Sequence, residues 1–226
     1  LHLCLEWKLN FMKPSLKNIV VKKSKLHGKG LFAKKDLKEG TKVIEYVGKK
    51  VTKKQSDKIA TKQLKKAGEN KKLGQVYIFT LNKKYDVDGN YSYNVARLAN
   101  HSCDPNCDTD IIKGKIYIMA LRDIKKGEEI TYDYGFEFDK DDYKDHVCKC
   151  GSKNCIGYIV TTADWKKLAK YLKKQNKMKE AKRVVKGLVY NQLRDIWYGR
   201  KIINYQIRSC AVWLGDANYI FYTKFK

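Results

Sequence analysis

Asn90-Tyr-Ser-Tyr-Asn-Val-Ala-Arg97-Leu-Ala-Asn100-His101-Ser102-Cys103-Asp104-Pro105-Asn106-Cys107 is the stretch on which the reading of this chain turns. It packs amides, an imidazole, a guanidinium and two thiols into one polar run, and each of those groups needs a partner if it is buried. It therefore reads as a chemistry-bearing loop. Glu128-Glu-Ile-Thr131-Tyr132-Asp133-Tyr134-Gly135 follows, a short strand ending in two tyrosines one residue apart. Read cold, Cys103 beside His101 suggests a thiol nucleophile. A metal-held thiolate cannot also attack a substrate, and the remaining cysteines give Cys103 that competing use.

Outward from this pair, turns recur at spacings that suit strands. Residues 18–21 read as a strand, His27-Gly-Lys-Gly30 as a glycine-bearing turn, 31–33 as a strand and Lys38-Glu-Gly40 as a turn. Residues 41–51, with Val43, Ile44, Tyr46 and Val47, read as one aromatic strand. Residues 53–72 place Ile59, Ala60, Leu64 and Ala67 on one helical face and predict an exposed amphipathic helix ending near Gly68. Hairpins are expected at 76–81 with 85–87 through Asn82, and at 109–112 with 116–120 through Lys113-Gly114. Lys125-Lys-Gly127 then leads into the tyrosine strand. Many short strands with little helix predict a mainly β fold rather than a doubly wound sheet. The tail differs. Asp164 is placed to cap a helix to about residue 182, with Trp165, Leu168, Ala169 and Leu172 on one stripe and lysines around it. A second helix is expected over 184–198, and 199–226 has no clean periodicity.

Seven cysteines, at 4, 103, 107, 148, 150, 155 and 210, are an odd number without a secretory signal, which argues against a disulfide framework. Cys148-Lys-Cys150-Gly-Ser-Lys-Asn-Cys155 suits a soft cation such as Zn²⁺ bound tetrahedrally. The fourth ligand is expected from Cys103 or Cys107, with His146 the weaker candidate. Four protein ligands leave no open position, so the zinc is structural.

Composition bounds the rest. The chain of 226 residues is 43% hydrophobic, enough for a core, and no apolar run is long enough for a membrane span. A soluble, intracellular protein with no membrane partner is expected. Met12-Lys-Pro-Ser reads as a better start than Leu1, so residues 1–11 are expected to lie outside the fold. The net charge of +25 points to a polyanion. Residues 86–145 run against it, with fourteen acids against eight bases, which suggests one cationic and one anionic partner.

Taken together, the chain resembles a SET-domain protein lysine methyltransferase with a post-SET zinc module, and looks nearest to the trithorax-type branch. His27-Gly-Lys-Gly30 is similar to the family's first cofactor motif and Tyr77-Ile-Phe79 to the second. Arg97-x-x-Asn100-His101-Ser-Cys103-x-Pro105-Asn106 resembles the third, Glu129-Ile-Thr-Tyr132-Asp-Tyr134 the fourth, and C-x-C-x4-C closes the series. Tyr93 and Leu98 depart from the family's usual glycine and phenylalanine. The resemblance implies a SET fold of small sheets with a pseudoknot-like active site, a zinc-bound post-SET segment and a C-terminal helical extension. The expected division is 1–17, a SET domain at 18–136, a post-SET segment at 137–160, and a basic, partly helical extension at 161–226.

By the same resemblance, S-adenosylmethionine is the methyl donor, held by His27, Gly28, Lys29, Gly30, Tyr77, Arg97, Asn100 and His101. The substrate lysine enters a channel of Tyr46, Tyr77, Tyr132 and Tyr134, with Tyr132 and Tyr134 catalytic. Zn²⁺ is bound by Cys103, Cys148, Cys150 and Cys155. A tyrosine at 132 favours mono- or dimethylation. Glu137, Asp139, Asp141, Asp142 and Asp145 are expected to attract a histone tail or other basic protein, and the lysine-rich remainder nucleosomal DNA. The expected location is the nucleus, a host's if the chain is virus- or parasite-encoded. The alternative is a non-catalytic chromatin or nucleic-acid-binding protein on the same zinc-stabilised fold.

Overall fold

A computed structural model describes residues 14–69 and 76–197, which divide into two compact units at Asp133/Tyr134. Residues 1–11 with Cys4, and 199–226 with Cys210, fall outside the described residues.

The first unit contains β1 (Ile19–Lys23), β2 (Lys29–Ala33), β3 (Lys42–Tyr46), β4 (Lys49–Thr52), α1 (Lys53–Glu69), β5 (Ile78–Thr80), β6 (Tyr85–Asp88), β7 (Asn100–His101), β8 (Cys107–Ile112), β9 (Lys115–Ala120) and β10 (Glu129–Tyr132). They form three small sheets, ordered β1-β2-β10-β7, β3-β9-β8 and β4-β6-β5. The mainly β expectation holds, and both hairpins form. Lys113 and Gly114 take φ of 51° and 73°, the left-handed pair that a two-residue hairpin turn requires. Asn82 Oδ1 accepts the N–H groups of Lys84 and Tyr85 at 2.9 Å and closes the other turn.

Residues 41–51 are not one strand. The chain leaves β3 at Tyr46 and joins a different sheet at β4. Gly48 permits the change of sheet, because a Cβ there would stand 2.1 Å from the Asp88 carbonyl oxygen. The helix follows at once. Thr52 N–H donates to Gln55 Oε1 at 2.9 Å and Gln55 N–H to Thr52 Oγ1 at 3.4 Å, a capping box that starts α1 where the lysine run begins. Of the predicted apolar face, Ile59 and Ala60 are half-buried, while the side chains of Leu64 and Ala67 lie outside the described residues. Leu31, Ile118, Ile124 and Ile130 form the solvent-free centre of this unit.

The second unit contains α2 (Trp165–Lys174) and α3 (Met178–Trp197). The predicted helix to about 182 is in fact broken after Lys174. Asn176 adopts φ 57°, and Lys177 N–H returns to the Leu172 carbonyl at 2.9 Å, which stops the helix. Lysines continue through the break, so the charge stripe concealed it. α3 accordingly begins at Met178 rather than 184. Asp164 does not cap α2 through its side chain. Its Oδ2 accepts the Phe138 N–H at 2.9 Å and its Oδ1 pairs with Lys167 at 2.7 Å. The expected stripe of Trp165, Leu168, Ala169 and Leu172 is buried, and Trp165 Nε1 donates to the Val160 carbonyl at 2.8 Å. Among the described residues no helix is long and apolar enough to cross a membrane.

Candidate active site

The first-unit site is built where β10 runs antiparallel to β2 and parallel to β7. This double pairing brings the first, third and fourth motifs side by side, with Thr131 opposite Asn100 and Tyr132 opposite His101. One buried amide ties them together. Asn100 Nδ2 lies 3.3 Å from the carbonyl oxygens of both His27 and Lys29, and 2.7 Å from Glu129 Oε1. The same carboxylate accepts Ser24 Oγ–H, and Ser24 Oγ accepts the Leu26 N–H at 2.9 Å. Gly30 makes the approach possible, since a Cβ would stand 2.3 Å from Glu129 Oε1. The His27–Gly30 turn is thus held from beneath, with His27, Gly28 and Lys29 exposed and open space beside Gly28 at φ 48°.

The loop after β7 is clamped to β10. Asn106 Oδ1 accepts the Thr131 N–H at 2.9 Å, and its Nδ2 donates to the Glu129 carbonyl at 2.8 Å and Glu128 Oε1 at 3.0 Å. Burial pushes the Glu128 carboxyl up, but hydrogen bonds from Arg122 and Asn106 outweigh it and hold the group below the ordinary carboxylate range. His101 is buried, with Nε2 3.7 Å from Cys103 Sγ and Nδ1 3.8 Å from Asp133 Oδ1. Cys103 is only 2% exposed, which suits a ligand or core thiol better than a nucleophile open to substrate. Cys107 sits in β8 with no exposure, and burial pushes its thiol well up.

The aromatic residues form two groups. Phe79 lies between Tyr46 and Tyr132, at centroid distances of 4.4 and 5.7 Å. Tyr77 instead carries Arg97 over its ring at 5.4 Å. The Tyr46 hydroxyl donates to the Tyr77 carbonyl at 3.0 Å, and burial, reinforced by the Asp88 carboxylate, raises its pKa well above the ordinary value. Gly89 leaves that hydroxyl its space, for a Cβ would stand 2.3 Å from it. Sequence alone assigns Phe79 no role beyond its place in the second motif. The available signal was an aromatic residue two positions beyond Tyr77 in the same short segment. Asn94 was also passed over: wholly buried, it accepts the Val47 N–H and donates to the Gly89 carbonyl, fixing the β3–β4 break.

In the second unit, the Tyr134 ring lies 5.9 Å from Phe136. The Sγ atoms of Cys148, Cys150 and Cys155 lie within 4.8 Å of one another. Thiolates about 2.3 Å from a tetrahedral Zn²⁺ would be about 3.8 Å apart, so the three cysteines fit such an ion. α3 braces their loop. Arg183 Nε donates to the Cys155 carbonyl at 2.8 Å, and buried Asn154 Nδ2 donates to Asn191 Oδ1 at 2.7 Å. The Tyr158 hydroxyl donates a hydrogen bond to Glu180 Oε2 at 2.5 Å. His146, the weaker ligand candidate, faces Asp142 at 3.6 Å and the Phe136 ring at 5.2 Å.

The family model described as SET domain matches residues 28–135. The chain is 36% identical over 155 residues to "Histone-lysine N-methyltransferase, H3 lysine-4 specific" of Saccharomyces cerevisiae, covering 67% of this chain and 14% of that protein. It is 38% identical over 142 residues to "Histone-lysine N-methyltransferase 2D" of Homo sapiens, covering 61% and 2%. It is 39% identical over 142 residues to "Histone-lysine N-methyltransferase trr" of Drosophila melanogaster, covering 61% and 6%. The chain therefore spans a small part of the length of these relatives. From the motif order, the β2–β10–β7 arrangement and the matched residues, the chain belongs to the SET-domain family.

Proposed function

We propose that this chain is an S-adenosylmethionine-dependent protein lysine N-methyltransferase acting on histone tails or similar basic segments. The observation that carries the reading is the Tyr46–Phe79–Tyr132 ring cluster, set beside the β7–β10 pairing that joins the cofactor motifs. The relatives' printed names support the same activity, and histone H3 is the first substrate to test. The donor, when bound, supplies a methyl group activated by a positively charged sulfur.

The protein's own residues do the rest. The His27–Gly30 turn, Tyr77, Arg97, Asn100 and His101 would hold the donor, with Asn100 acting through the turn it braces. A lysine amine has an ordinary pKa of about 10.4 and must lose its proton before it attacks. The rings of Tyr46, Phe79 and Tyr132 exclude water and disfavour the ammonium, so desolvation substitutes for a dedicated base. Tyr134 orients the amine and Tyr132 limits the room for further methyl groups, favouring mono- or dimethyl products. Cys103 joins Cys148, Cys150 and Cys155 as the fourth ligand of a structural Zn²⁺, a reading that rests on its place in the third motif. The domain divisions at 18–136, 137–160 and 161–226 are retained as part of this proposal.

The exposed acids from Glu137 to Asp145 attract the basic substrate, the lysine-rich surface meets nucleic acid, and a chromatin-facing protein belongs in the nucleus. Incubation with methyl-labelled S-adenosylmethionine, core histones and nucleosomes tests the activity. Label on histone lysines is expected; retention on DNA with no transfer to any protein would support the non-catalytic alternative instead.

A further inference from the structure

In the second unit the cysteine loop and α3 enclose an open cavity of about 420 Å³. Its charged lining is Lys149, Lys153, Arg183 and Lys186, with no carboxylate. All four side chains are exposed, and among the described residues none is in an ion pair. Arg183 is fixed in place by its bond to the Cys155 carbonyl, and Gly157 leaves room for it, since a Cβ would stand 2.7 Å from Nη1. Exposed Lys182 and Lys179 continue the charge beyond the cavity along α3, about one helical turn (~5 Å) at a time. Residues 146–195 contain thirteen Lys and Arg against Asp164, Glu180 and Asp195. Each of those acids is already engaged, with Lys167, Tyr158 and Arg194 respectively.

We propose that this cavity and the adjoining face of α3 bind the phosphate backbone of duplex DNA without reading its sequence. Clustered cations without acids repel one another, and a dense, regular polyanion relieves the repulsion while releasing its own counterions. The lining has no aromatic ring and no amide aimed outward beyond Asn154, whose Nδ2 is committed to Asn191, so the site takes phosphate rather than base edges. The inference deepens the reading of the lysine-rich surface as a nucleic-acid surface and does not require methyl transfer.

The test is fluorescence anisotropy of the whole chain with a random 30-base-pair duplex over a salt series, without cofactor or histone. The triple variant Lys149→Gln, Lys153→Gln, Lys186→Gln keeps Arg183 and therefore the loop. It is expected to bind at least about tenfold more weakly, with the log–log salt slope reduced by about 2 to 3. A control of equal charge, Lys54→Gln, Lys58→Gln, Lys62→Gln on α1, is expected to keep the parent's affinity and slope. Parent-like binding by the first variant, or an equal loss in the control, would overturn the proposal. So would equally tight binding of polyglutamate that the first triple abolishes, which would give the site to an acidic protein.

Discussion

Tyr132 is the residue whose chemistry is most exposed to test. It is 7% exposed, ends β10 opposite His101, and packs against Phe79; in the proposed reaction its hydroxyl limits product size. Tyr132→Phe is expected to raise the methylation state, with mass spectrometry showing more trimethyl-lysine than the parent; a parent already making mostly trimethyl product would contradict the assignment. A second residue, Asp86, contributes to acid stability. Burial pushes the Asp86 carboxyl up, but Lys53 and Ser56 hydrogen bonds outweigh it and leave the pKa below the ordinary value. A group depressed in this way stabilises the fold above the unfolded-state pKa and loses that contribution as pH falls through the folded value. Asp86→Asn should therefore lower the melting temperature near pH 7, by an amount equivalent to about 1–3 kcal/mol, and flatten its fall as the pH drops below the ordinary carboxylate range. An unchanged acid limb would remove Asp86 from the account.

At the level of elements, α3 begins six residues earlier than expected and packs closely on the cysteine loop. Gly187 lies in its middle, where alanine would ordinarily favour helix by about 1 kcal/mol. Here a Cβ would stand 2.8 Å from Ile156 Cγ2 and 2.9 Å from the Asn154 carbonyl oxygen, and a backbone atom cannot step aside. Gly187→Ala is thus expected to destabilise the second unit by about 1–3 kcal/mol in thermal or denaturant unfolding, and a stabilised variant would show that the helix does not brace the cysteine loop. The same contrast explains what was legible beforehand. Turn chemistry at His27–Gly30, Lys113-Gly114 and Lys125–Gly127 placed β1, β2, β8, β9 and β10, because glycine and local polarity act within a few residues. The split between β3 and β4 depends on Asp88, forty residues away, and the end of α2 on a single asparagine inside an unbroken lysine stripe. Neither is encoded in local periodicity. Motif order names residues that β2, β7 and β10 bring together, yet Phe79 and the Asn100–Glu129–Ser24 network become visible only once β10 lies between β2 and β7.

Over the whole molecule, the +25 charge is unevenly spread: residues 86–145 carry fourteen acids against eight bases, and residues 146–195 thirteen Lys and Arg against three acids. The proposed basic substrate and the proposed polyanion each match one part of such a division. In the proposed reaction, ring-lined desolvation and the Tyr134 hydroxyl together present a lysine amine to a methyl donor. Intact-mass spectrometry of a histone H3 amino-terminal peptide, incubated with S-adenosylmethionine and either the parent chain or Tyr134→Phe, tests it directly. The parent is expected to add methyl groups to lysine and Tyr134→Phe to be slower by about a hundredfold or more. No mass increase with the parent on this peptide or on core histones, or equal rates for the two proteins, would contradict the claim.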